Sequence, residues 1–114
     1  MARRTLSKAQ SERWHFKRRL RERYGIRANR LTYRNMINLV QSRNSECVYV
    51  QSNTRTVHRI AYQLDNTHDP RNLKVSHDNG LVNILVVYDK LRGELVTALP
   101  QDLTIPEIYG YTED

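Results

Sequence analysis

Two groups of residues in this sequence combine a proton carrier with guanidiniums. The first lies in the stretch SERWHFKRRLRERYGI, residues 11–26. Six of its sixteen residues are Lys or Arg, around one His and the only Trp of the chain. On a helix, His15, Arg19 and Glu22 fall at i, i+4 and i+7, along one flank. An imidazole exchanges protons near neutral pH and a guanidinium grips phosphate, so that flank holds the parts for acid–base work on a phosphodiester. The second group lies in SNTRTVHRIAY. Strand alternation puts Arg55 and Arg59 on one side and His58 on the other. A guanidinium pair above a rigid sheet suits a charged phosphate transition state. His15, Arg19, Arg55 and Arg59 are therefore the candidate catalytic set, with His58 in reserve. Each has a plainer reading: a surface His that titrates without consequence, and a strand guarded from aggregation by charge.

Around the first group the residues change from reactive to adhesive. Residues 1–34 hold twelve Lys or Arg against Glu12 and Glu22, a balance of +10. Residues 35–114 hold seven against ten acids, a balance of −3, and the whole chain carries +7. Charge this concentrated points to a polyanionic partner, RNA before DNA. Lys17, Arg18, Arg21, Arg23, Arg13 and Trp14 are the candidate nucleic-acid-binding residues. Trp14 and the seven tyrosines offer stacking surfaces for unpaired bases, though core packing is the simpler role for most aromatics. The pairs His68–Asp69 and His77–Asp78 sit in polar loop sequence without the convergence that metal ligands need. No metal or other cofactor is expected. Glycine-rich phosphate loops, paired-cysteine spacings and nucleophile elbows are absent.

The elements that must position these residues follow from periodicity. Residues 7–24 read as a helix capped by Ser7 and stopped at Gly25, with Ala9, Arg13, Phe16, Leu20 and Tyr24 on one stripe. Residues 33–43 read as a second helix, with Thr32 as its cap and Tyr33, Met36, Ile37, Leu39 and Val40 as its apolar face. After Arg43 the texture turns to β-branched and aromatic residues: ECVYVQ, TRTVHRIAYQL, LKVSH, LVNILVVYD and ELVTALP. Ser52 and Asn53 suggest one hairpin turn and Asp78-Asn79-Gly80 a stronger one. Leu81 to Tyr88 is apolar on both faces apart from Asn83, as a central strand would be. Pro100 ends the last strand. The expected architecture is α+β in a single domain over residues 1–114. It has a basic arm at 1–6, two helices at 7–43, and a twisted, mostly antiparallel sheet of four to five strands at 46–99. A tail at 100–114 packs partly on that sheet. Cys47, alone in the chain, is expected to be a small buried hydrophobe. No apolar run reaches the length of about eighteen residues that a membrane helix needs, and the start of the chain has no secretory apolar core. A cytoplasmic setting without membrane contact is the expectation.

The layout resembles the small metal-independent ribonuclease superfamily of barnase, EndoU, the tRNase colicins and RelE-type toxins, closest to its toxin-like, uncharacterised members. The matching pieces are His15, Arg19, the run Glu22-Arg23-Tyr24-Gly25-Ile26, Thr32, and Val86 to Pro100, within residues 14–100. The resemblance implies helices on one side of a twisted antiparallel sheet and a concave sheet surface that binds RNA. It also implies transesterification by the 2′-OH of the RNA. In that scheme His15 or His58 moves protons, and Arg19, Arg55 and Arg59 hold the phosphate without a metal. Three readings stay open at this point: an RNA-binding protein of this type with endoribonuclease activity, a non-catalytic nucleic-acid-binding module, and a basic inhibitor or regulator of another protein. The protein partner would be an antidote in the first case and a target enzyme in the last.

Overall fold

The computed structural model of the protein describes residues 8–110. The basic arm at 1–6, the cap expected at Ser7 and Tyr111 lie outside them, as does the side chain of Ala9. The first helix, α1, spans Lys8–Tyr24. Its interior lacks Gly and Pro and is rich in straight-chain residues that lose little rotamer freedom in a helix. Arg21 and Arg23 in the last turn complement the negative end of the helix dipole. Gly25 stops it with φ +76° and donates its N–H to Arg21 O at 3.0 Å. A Cβ at Gly25 would lie 2.0 Å from Asn72 O, so the glycine also lets a distant loop close on the helix end.

Helix α2 spans Arg30–Gln41 and starts earlier than its sequence suggests. Asn29, not Thr32, is the cap. Its Oδ1 accepts from Thr32 N at 2.8 Å and Thr32 Oγ1 at 2.9 Å. Asn caps at least as well as Thr, and Thr32 serves as the N3 residue that completes the contact.

The sheet has four antiparallel strands in the order β1 (Glu46–Val50), β2 (Arg55–Gln63), β3 (Leu81–Asp89) and β4 (Glu94–Leu99). β2 and β3 pair without interruption from Arg55↔Asp89 to Gln63↔Leu81. The fifth expected strand, LKVSH, does not form. Its hairpin turn does: Asn79 and Gly80 have φ +50° and +83°, and Asp78 and Leu81 exchange both backbone bonds at 2.9 and 3.0 Å. These are the angles of a tight primed turn. Yet both edges of β3 are already taken by β2 and β4. The preceding segment instead ties to the end of α1, where Lys74 N donates to Tyr24 O at 3.0 Å.

Helices α1 and α2 cover one sheet face. Phe16, Leu20, Tyr24, Tyr33, Met36 and Val40 pack on Ile60, Tyr62, Val82, Ile84, Val86, Leu95 and Ala98. Full burial of each large side chain contributes about 1.5–3 kcal/mol. The other face, Val57, Leu85, Val87 and Leu99, lies under the C-terminal segment through Leu103 and Ile108. The expected tail thus carries a short helix, α3 (Ile105–Gly110), and Ile108 is buried. Two tyrosine hydroxyls lock helices to sheet. Tyr24 donates to Leu99 O at 2.6 Å and accepts from Leu85 N at 3.0 Å, and burial pushes its phenol up to about 12. Tyr33 donates to the Glu94 carboxylate and accepts from Leu95 N at 3.1 Å, beside the bulge in β4. Burial, then that carboxylate, raises its phenol well above the usual value. Cys47 is exposed rather than buried. It lies on the edge strand β1, next to the bulge that shifts the register between Cys47 and Tyr49, so alternation there does not bury it.

Candidate nucleic-acid interface

The apolar stripe of α1 fixes what the rest of the helix can present. With Phe16, Leu20 and Tyr24 turned to the sheet, Trp14, Lys17, Arg18 and Arg21 recur at i, i+3, i+4 and i+7 on the outer side. Beyond Gly25 the chain brings Arg27 and Ala28 alongside. Lys74 arrives from a loop far along the sequence and donates through Nζ to Glu22 O at 3.1 Å. These residues enclose an open cleft of about 570 Å³. Five of its walls are cationic: Lys17, Arg18, Arg21, Arg27 and Lys74. Glu22 is the single carboxylate, held by Arg18 at 2.9 Å and Arg19 at 2.7 Å. Those hydrogen bonds, Arg18 first, keep its carboxyl below the usual range. Among the described residues no carboxylate pairs with Lys17, Arg21 or Arg27. Trp14 is 56% exposed, and the Arg18 guanidinium stands 5.3 Å from its ring centroid.

Of the six residues assigned to binding from sequence, Trp14, Lys17, Arg18 and Arg21 line this cleft. Arg13 and Arg23 turn to β4 instead. Arg13 Nε lies 3.7 Å from Glu94, and Arg23 Nη1 donates to Ala98 O at 2.7 Å. Arg27 and Lys74 were not singled out by sequence. Arg27 follows the helix stop closely enough to have been suspected, but nothing local marks Lys74.

The candidate catalytic set does not converge. His15 is half-buried on α1, and Arg19, one turn on, is drawn to Glu22. Arg55 and Arg59 share the face of Val57, the one covered by the C-terminal segment, so they stand across the sheet from the helices. Arg59 pairs with Glu46 at 3.1 Å on the edge strand. His58 does face the helix side, half-buried and pinned. Ser45 Oγ is 3.1 Å from Nδ1, Thr56 Oγ1 is 2.7 Å from Nε2, and the Tyr88 ring stands edge-on at 6.1 Å. Burial lowers its pKa, but both nitrogens already have partners. A single site that sets His15 and Arg19 against Arg55 and Arg59 is therefore not built. The loop histidines have local roles. His68 meets Asp65 at 2.9 Å and Arg27 O at 3.2 Å, and His77 accepts from Gly80 N at 3.1 Å. Among the described residues no group of three or more His, Cys, Asp or Glu is gathered as a metal site would require.

A second groove, of about 580 Å³, opens on the face opposite the helices. Arg59 and His77 share it with Asp78, Asn83, Gln101 and Asp102. Its charges are mixed, and Gln101 is spent on Ser76 O and Asn83 O. No helix among the described residues is long and apolar enough to cross a membrane. Compared with known proteins, the chain matches no family model, no curated protein and no solved structure.

Proposed function

We propose that the protein binds RNA through the cleft on the outer side of α1. The observation that carries this reading is the convergence of five cations from three separate chain segments on a concavity with one carboxylate. Lys74 also satisfies the Glu22 carbonyl at the end of α1, but gathering it and Arg27 beside Lys17, Arg18 and Arg21 sets like charges together, which repel unless a polyanion neutralises them. Phosphates seated there release counterions, which supplies affinity without sequence preference. A cytoplasmic location, where RNA is at hand, goes with this reading.

Cleavage is the second reading, and kinship with the toxin-like ribonucleases goes with it. What favours it is the groove that holds Arg59 and His77 together. There the Arg59 guanidinium could steady the charge on phosphorus as the 2′-oxygen attacks and the 5′-oxygen leaves, with water taking the 2′-OH proton and supplying one to the 5′-oxygen. His77, whose Nδ1 accepts from Gly80 N, could direct its Nε2–H at a phosphate oxygen. One experiment addresses both readings: incubation of the purified protein with labelled RNA in EDTA, followed on native and denaturing gels. A shifted, intact RNA is the expected result. Cut RNA that depends on His77 would establish the second reading. Absence of both shift and cleavage, with tight binding to a protein partner instead, would overturn the RNA assignment in favour of an inhibitor or regulator.

A further inference from the structure

We infer that the cleft is selective for single-stranded nucleic acid, with an unpaired base stacked on Trp14 and the adjoining phosphates between Lys17, Arg21, Arg27 and Lys74; this rests on the RNA-binding reading above. Three observations carry it. Trp14 is more than half exposed, although a large apolar ring of this kind is ordinarily buried for its hydrophobic gain. It is not a stray surface residue, because it forms one wall of the basic cleft. And it is braced: Arg18 stands over the ring at 5.3 Å, while Glu22 holds Arg18 from the other side at 2.9 Å. A guanidinium fixed over one ring face restricts the indole and adds a cation–π contact, leaving a positioned aromatic platform.

The geometry matches what a single strand needs. Trp14 to Arg21 spans about 10 Å along the helix axis, so ring and cations lie within reach of neighbouring nucleotides. Stacking accepts any base, because every base has a π-face, whereas a duplex keeps its bases within its own stack. An acidic protein surface would satisfy the cations equally well, and an indole can also pack on a protein. What favours a nucleic acid is the ring set among the cations, the pairing of stacking face and phosphate site that each nucleotide of a single strand repeats.

Because Trp14 is the only Trp in the chain, its fluorescence reports on this position alone. The protein should be titrated with a single-stranded oligonucleotide of about ten nucleotides, within the usual site size of such proteins. The same sequence as a duplex, inorganic polyphosphate and poly-glutamate serve as comparisons. Saturable quenching by the single strand is expected, with weaker binding of the duplex. Polyphosphate should compete for the cations without quenching. Trp14→Ala should weaken single-strand binding by roughly 5- to 150-fold, the range for one lost stacking contact, and Trp14→Phe should recover most of it. Circular dichroism of both variants controls for folding. Equal binding of single strand and duplex, with no change in emission and no effect of Trp14→Ala, overturns the stacking inference and leaves RNA binding in place. Equal binding of oligonucleotide and poly-glutamate overturns the nucleic-acid assignment itself.

Discussion

At the scale of single residues, His58 shows how chemistry suggested by residue type is consumed by structure. Hydroxyls meet both ring nitrogens, and burial favours the neutral ring. The folded state therefore takes up this proton at lower pH than the unfolded chain, whose imidazole titrates near about 6.5. Stability tied to the neutral ring is complete above that value. It is lost as pH falls toward the folded value, because the unfolded chain binds the proton first. Thermal melts between about pH 7.5 and about pH 5.5 should show Tm falling, and the fall should be smaller in His58→Gln. A wild-type profile no steeper than that of the variant would refute the role. Residue identity in the sequence made His58 a candidate, but the partners that disqualify it could not be read there. Thr56 is two positions away, whereas Ser45 lies thirteen away and across a strand pair. Cys47 and Thr32 were misread for a related reason: a bulge and a better cap upstream decide their settings, and both are small local competitions that periodicity does not resolve.

At the scale of elements, the sequence was most informative where one pattern dominated. The stripe Phe16, Leu20, Tyr24 and the two-sided apolar run of β3 both sit where periodicity puts them. The Asn79-Gly80 turn also formed, yet LKVSH did not become a strand, since pairing needs a free edge and turn chemistry cannot supply one. What replaced that strand matters for the cleft. Gly25 admits Asn72 against the helix end, and the next residues carry Lys74 into place. Gly25→Ala should force both the left-handed φ and the clash with Asn72 O, at a cost of about 2 kcal/mol or more. Urea denaturation should register that loss. RNA affinity of the folded fraction should fall as well, because the loop holding Lys74 must move. A variant with unchanged stability and unchanged affinity would sever the proposed link between helix stop and cleft.

At the scale of the whole molecule, the two basic regions named from sequence lie on opposite sides of one sheet. This separation gives a clean contrast. Replacing Lys17, Arg21 and Arg27 together by Ala should weaken RNA binding and flatten the plot of log K against log salt by about three phosphate contacts. Replacing Arg55 and Arg59, which face away from the cleft, should leave both quantities near wild type. The reverse outcome would move the binding surface to the far side of the sheet. The charge asymmetry that located the cleft was visible in composition alone. Its closure by Lys74 and the division of the catalytic set were not: the first depends on a distant loop closing on the helix end at Gly25, and the second on which sheet face the helices cover, neither of which is a local pattern.

The lock between α1 and β4 also has a consequence in time. Arg23 and Tyr24 reach Ala98 and Leu99 across a sequence separation of 75, and long-range contacts of this kind slow folding. While the chain is being made, α1 emerges before β4, with its apolar stripe uncovered and its own cations exposed. Until residue 99 has left the ribosome, the helix presents its cations and its uncovered stripe without the β4 strand that locks it in place. In that interval the nascent chain is exposed to the nearest RNA, which is that of the ribosome itself.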